Sequence, residues 1–281
     1  MTVMLGDVVA ALEVRYDPAL AEPWDAVGLV CGDPADPVGR VLFAVDPTSD
    51  IVDEALAIGA QLVVTHHPLF LTAVHGVPAD DAKGRLVHRL VRGGAGLFVA
   101  HTNADRAADH GVNDALAAVL GLCDPAPLEP AASDPRAGLG RVGRLPKPLS
   151  LREFAAHAAA VLPATVGGVR VAGDADQEVR TVAVCGGSGG SLIETAAAAG
   201  ADVLLTSDLK HHPVSEWQRP GAMGLCDVAH FASEWPWLPV AASVLHRDLS
   251  GRVEVTVSAR RTDPWTWRAG QDGLPVEHST G

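Results

Sequence analysis

The chain has 281 residues, of which 48% are hydrophobic but only 4% aromatic, so a core of Ala, Val and Leu is expected, in one large domain or two of roughly 100–150 residues. Acidic residues outnumber basic ones by 34 to 21, and the net charge of −13 with only three lysines, Lys83, Lys147 and Lys210, weighs against direct contact with nucleic acid or an anionic membrane. Four scattered cysteines with no CxxC pair exclude a thiolate zinc ribbon, the N-terminus does not read as a signal peptide, and no stretch approaches the ~20 apolar residues of a membrane span; a soluble cytoplasmic protein is expected.

Strand and helix signals alternate along the chain. Arg40 to Asp46 (RVLFAVD) reads as a buried strand, Ser49 to Ile58 as a helix capped by Ser49 or Asp50, and Gln61 to Thr65 (QLVVT) as the next strand, which makes a βαβ unit. Arg85 to Arg92 reads as helical, Gly96 to Ala100 as a further strand, and Val112 to Leu120 as a helix ended by Gly121. Cys123 to Pro148, rich in Pro, Gly and Asp, reads as connection, and the tail from Ala269 as loop.

The chain carries an internal repeat. Without a gap, Val41 to Thr65 overlays Val182 to Thr206, matching both strands, Asp53 with Glu194, Ala55 with Ala196, and Gly59-Ala60 with Gly200-Ala201. Farther on, Val99-Ala100-His101 followed by Asp105 resembles Val228-Ala229-His230 followed by Glu234. Two related α/β domains are the economical account, and ligands of such sheets bind beyond the carboxyl ends of the strands, where these His and acid residues fall.

His66 and His67 follow QLVVT directly and precede Pro68. Alternation along a strand would turn their side chains to opposite faces, so the pair suits two ions better than one. His101, Asp105, His230 and Glu234 add imidazole and carboxylate, the donors taken by Zn²⁺, Fe²⁺ and Mn²⁺. His211-His212-Pro213 reads as a solvated or substrate-contacting loop. His75, His88, His110, His157, His246 and His278 have no acid partner at comparable spacing and read as structural, and Trp235 and Trp237 as packing residues. The loop Gly186 to Ser191 lacks a Lys-Ser/Thr ending and is no P-loop; a tight strand-to-helix turn accounts for its glycines.

Ordered motifs then carry a resemblance over nearly the whole chain: Glu22-Pro23-Trp24-Asp25 to Gly28-Leu29, Thr65-His66-His67-Pro68-Leu69-Phe70, His101 to Asp105 with Gly111-Val112-Asn113, Gly186 to Gly189, Asp208-Leu209-Lys210, and Asp227-Val228-Ala229-His230 to Glu234. The sequence resembles the Nif-three-like family, also known as GTP cyclohydrolase I type 2. The resemblance implies two α/β domains, 1–126 plus 235–281 and 127–234, with a dinuclear metal centre in the interdomain cleft of a toroidal homohexamer. It assigns His66, His67, Asp105, His230 and Glu234 as ligands of two divalent transition-metal ions (Zn, Fe or Mn), with Glu234 as the bridge and His101 beside them. Ala229 and Ser207 stand where the family usually has glycine, and His211 where it has another aromatic residue.

The chemistry expected of such a centre is metal-assisted hydrolysis of a small anionic substrate, a nucleotide among the candidates, with His101 as general acid/base and Lys210, His211, Gly187, Ser188 and Gly189 as substrate contacts. The alternative is a non-enzymatic, metal-dependent scaffold or regulatory protein.

Overall fold

The computed structural model describes residues 2–269 and the strand Pro275–Val276. The chain forms two compact units: Met1–Gly111 with Leu238–Thr262, and Val112–Trp237 with Asp263 onward. Among the described residues no helix is long and apolar enough to cross a membrane.

The first unit is built on a five-stranded sheet in the order Gly28–Cys31, Gly96–Val99, Leu62–Thr65, Arg40–Ala44, Glu254–Val257. All neighbours run parallel except the edge strand Gly28–Cys31. The central strands RVLFA, LVVT and GLFV are apolar nearly throughout because both faces of a parallel sheet are covered. Leu42, Val63 and Leu97 pack against Ile51 and Ala55 of the helix Ser49–Ala57 and Leu90 of the helix Ala82–Arg92. Burying each of the larger of these side chains contributes about 1.5–3 kcal/mol. The cap of Ser49–Ala57 is Thr48, whose hydroxyl accepts from the Ile51 amide, rather than Ser49 or Asp50. Ser49 instead accepts a hydrogen bond from Arg89, 3.0 Å away. The helix expected from Arg85 begins at Ala82, because Asp81 accepts from the amides of Lys83 and Gly84 and opens an earlier turn.

The second unit has a six-stranded sheet in the order Cys123–Pro130, Gly138–Ser150, Glu178–Ser188, Val203–Ser207, Gly224–Val228, Val169–Ala172. The strands from Glu178, Val203 and Gly224 run parallel to one another and the remaining pairings are antiparallel. The helix Val112–Val119 belongs here, since Leu116 and Ala117 share a core with Phe154, Val182 and Leu205. The expected connection Cys123 to Pro148 is corrected to an antiparallel strand pair. Its prolines are tolerated because Cys123–Pro130 lies at the sheet edge, while Pro146 and Pro148 fall where pairing with Glu178–Ser188 is interrupted between Arg144 and Leu149. Beyond it, Arg268–Ala269 pairs with Pro275–Val276; the rest of the tail, His278 included, lies outside the described residues.

The repeat is visible in the strand register. Val41 lies opposite Leu62, and Val182 opposite Val203, the positions the overlay equates. The third strands differ by one residue: Thr65 faces Val99, whereas its counterpart Thr206 faces Asp227, and Val228 faces Ser207.

Candidate metal centre

In the first unit, His66 and His67 leave the carboxyl end of Leu62–Thr65 and His101 leaves that of Gly96–Val99, so neighbouring parallel strands deliver them to the same sheet edge. The rings do not diverge as strand alternation suggested. The strand ends at Thr65, and His66 and His67 have centroids 5.1 Å apart. His101 stands 5.1 Å from His66 and 5.7 Å from His67. One ring nitrogen from each of the three lies within 4.8 Å of the others, a group that can hold a metal ion. Asp105 ends the short helix Thr102–Asp105, and its Oδ1 lies 3.7 Å from His66 Nε2.

Each imidazole is fixed through Nδ1. His66 Nδ1 donates to the Ala100 carbonyl at 2.9 Å, His67 Nδ1 to Asp46 at 2.6 Å, and His101 Nδ1 to Asp25 at 2.8 Å. A proton held on Nδ1 places the lone pair on Nε2, the tautomer and orientation seen in metal-binding histidines. The Asp25 side chain is wholly buried and also accepts from the amide and hydroxyl of Thr102, at 3.0 and 2.5 Å. Burial is the largest single influence on Asp25 and pushes its pKa up; hydrogen bonds from His101 and Thr102, with the charge of His101, outweigh it and hold the carboxyl well below the usual range.

In the second unit, His230 and Glu234 begin and end one short helix after the strand Gly224–Val228, four residues apart, with His230 Nε2 2.8 Å from Glu234 Oε1. Nδ1 of His230 donates to Asp208 at 2.7 Å. Asp208 adopts φ +58°, a left-handed conformation that aspartate tolerates better than most residues. Glu234 is buried, 2% exposed. Gly187, at φ +66°, makes the space for the pair: a Cβ there would stand 2.6 Å from Glu234 Oε1 and 3.0 Å from His230 Nε2. The amide of Gly187 donates to Ser233 Oγ and that of Gly186 to Asn113 Oδ1, each at 2.9 Å. These two amides lie in the last residues of the strand Glu178–Ser188, not in the loop expected from Gly186, and serve the fold behind the His230–Glu234 pair. A buried carboxylate beside an imidazole, facing a glycine where a side chain would collide, fits a divalent transition-metal ion, as do the imidazoles and carboxylate of the first unit.

Around these groups lie two clefts. One, of about 520 Å³ in the first unit, reaches from His67 and Asp46 to Lys83, Arg85 and Arg89. The other, of about 380 Å³ in the second unit, is lined by Lys210, His211, Arg170 and Asp227, and not by His230 or Glu234. His211 is not in a loop: it opens the helix His211–Trp217, with its ring 5.3 Å from that of His212. His88, His157 and His246 hydrogen-bond backbone carbonyls, as structural histidines do, and Trp237 is fully buried.

The sequence reading gave no role to Asp25, Asp46 or Asp208. The available signal was positional: Asp46 lies just beyond the strand Arg40–Ala44 and Asp208 just beyond Val203–Ser207, so each stands at the sheet edge that carries the histidines.

Comparison with known proteins adds three findings. A family model described as Duf34/NIF3 (NGG1p interacting factor 3) matches residues 3–264. The chain is 53% identical over 268 residues to a Streptomyces coelicolor protein named GTP cyclohydrolase 1 type 2 homolog, covering 93% of each, and 37% identical over 387 aligned positions to a protein of that name from Mycobacterium bovis, covering 100% of this chain and 99% of the relative. Among solved structures, a hypothetical protein of Staphylococcus aureus superposes with a TM-score of 0.86 at 26% identity, covering 94% of this chain and 99% of the other. A Bacillus cereus protein described as related to NIF3 superposes with the same score and coverage at 24% identity, a likeness of fold alone.

Proposed function

This chain belongs to the Duf34/NIF3 family, and on that premise we propose that it is a metal-dependent hydrolase of a small anionic or nucleotide substrate. Its ligands in this reading are His66, His67 and Asp105 of the first unit and His230 and Glu234 of the second, holding two divalent ions. The observation that carries it is the set of four histidines, each oriented through Nδ1 by a fixed acceptor, together with the Gly187 cradle. Bound there, divalent ions would lower the pKa of a coordinated water from ~16 toward ~7 and polarise the bond under attack.

The remaining roles fall to the chain's own side chains. His101 acts as general acid/base: Asp25 keeps the proton on Nδ1 and stabilises the imidazolium, so Nε2 exchanges protons with the reacting group. Lys83, Arg85 and Arg89, in the cleft that begins at His67, bind the anionic part of the substrate despite the acidic composition of the whole chain. Lys210 and His211, with Ser188 and Gly189, are the second set of substrate contacts in this reading; the expected contact at Gly187 is set aside, since its amide is given to Ser233 and its carbonyl to Thr206. The relatives' name makes GTP the first compound to assay. A homohexameric assembly and a cytoplasmic location complete the proposal.

The test is elemental analysis of the full chain, purified without chelator, beside Glu234→Ala and His66→Ala, followed by turnover of GTP and a phosphoester panel by wild type and His101→Ala. About two ions per chain that fall in both ligand variants, with turnover lost but metal kept in His101→Ala, is the expected result. Full metal occupancy with no turnover of any compound would overturn the hydrolase reading in favour of a scaffold.

A further inference from the structure

We propose that Trp24 is a stacking platform for a planar nitrogen heterocycle of the substrate, beside the histidine cluster of the first unit. The inference rests on the reading of that cluster as a substrate site. Trp24 is 58% exposed, and its ring meets that of His101 with centroids 6.0 Å apart at an interplanar angle of 77°. Trp237 is buried, and Trp217 is engaged by Arg219 and by the carbonyl of Met223. Trp265 and Trp267 are exposed too, and what recommends Trp24 is that its indole is in ring contact with a histidine of the cluster.

A single exposed apolar residue needs no explanation in itself. What sets Trp24 apart is the way the chain holds it. The turn from Glu22 to Asp25 closes with the Asp25 amide donating to the Glu22 carbonyl at 2.9 Å. The Glu22 amide donates to Thr102 Oγ1 at 2.9 Å, and the Glu22 carboxylate pairs with Arg106. On the other side, the buried carboxylate of Asp25 is bound by His101 and twice by Thr102. Polar bonds on both flanks therefore pin the turn to the short helix that carries Asp105, while the indole between them stays largely in water. That is preorganisation of an aromatic surface, which lowers the entropy lost when a ligand stacks on it.

The angle suits the chemistry assigned to His101. A ring lying flat on the indole would stand at the same steep angle to the imidazole, leaving His101 free of stacking and able to exchange a proton with the ligand's edge. The ligand class this selects is a flat, nitrogen-containing heterocycle such as a purine. A purely anionic substrate with no ring would gain nothing from Trp24.

The experiment is calorimetric titration of the full metal-loaded chain with GMP, AMP and inorganic tripolyphosphate, for wild type, Trp24→Ala and Trp24→Phe, with metal content and oligomeric size measured on each. Both nucleotides are expected to bind wild type, to weaken about ten-fold in Trp24→Ala and to be largely restored in Trp24→Phe, with tripolyphosphate unchanged throughout. The proposal is overturned if neither nucleotide binds wild type, if their affinities stay within about two-fold in Trp24→Ala, or if tripolyphosphate weakens equally. It is overturned as well if Trp24→Ala changes oligomeric size without changing nucleotide affinity, which would assign the indole to contacts between copies of the chain. Nucleotide binding with the same Trp24 dependence in chelator-stripped protein would show that the platform stands independently of the metal-hydrolase reading, whose own test is turnover.

Discussion

The two units use the same sheet edge in different ways. In the first, the candidate ligands come from separate chain segments, His66-His67 after one strand and His101 to Asp105 after its neighbour, so their geometry depends on strand register. In the second, His230 and Glu234 lie on one helical turn, and their geometry depends on that turn and on the missing side chain of Gly187. The overlay equates His67 with Asp208, yet His67 is a candidate ligand and Asp208 is the carboxylate that orients His230. Duplication preserved the strand end as a place to put a polar group, and the register slip between the third strands accompanies the change in what that group does.

The largest effect is expected at Asp25. Asp25→Asn keeps the shape of the turn but withdraws the carboxylate that fixes the tautomer of His101, and turnover should fall about 1,000-fold with metal content unchanged, measured by steady-state kinetics beside elemental analysis. Activity close to wild type would remove His101 from the chemistry. Next comes Gly187→Val, which forces atoms into the His230–Glu234 pair at a left-handed backbone position. Its metal affinity should fall about 100-fold, against little change in Gly28→Ala, where φ is also positive but nothing lies within 4 Å. Equal behaviour of the two glycines would show that the second unit's geometry does not depend on that cradle.

Smaller effects sharpen the contrast between the carboxylates that orient the ligands. Asp46→Asn should weaken metal binding about ten-fold, and Asp208→Asn less, because the Asp208 side chain is 55% exposed against 27% for Asp46 and water competes for its hydrogen bond. Metal titration of both variants reads the difference, and a larger loss in Asp208→Asn would reverse the ranking. The smallest change is Thr48→Ala, which removes the cap of Ser49–Ala57 and should cost about 1 kcal/mol in denaturant unfolding while leaving metal affinity as it is.

Much of this was legible in the sequence because it is local. The apolar runs RVLFAV and QLVVT, the helix ended by Gly121 at φ +76°, and the His-His and His-x3-acid spacings needed no knowledge of distant residues. Proline misled the reading of Cys123–Pro130, since only its place at a sheet edge makes those residues compatible with a strand. Strand alternation misled it at His66-His67, since it no longer governs once the strand has ended.

The sequence by itself determined the alternating α/β order, the duplication and which imidazoles and carboxylates stand as candidate donors, because periodicity and spacing act over a few residues. Tertiary structure alone decided which carboxylate orients which histidine. Asp25 acts on His101 across 76 positions, and Asp46 and Asp208 reach His67 and His230 across 21 and 22. Sheet order, strand register and the closing of a turn set those distances, and none of the three is written in the neighbours of any one residue.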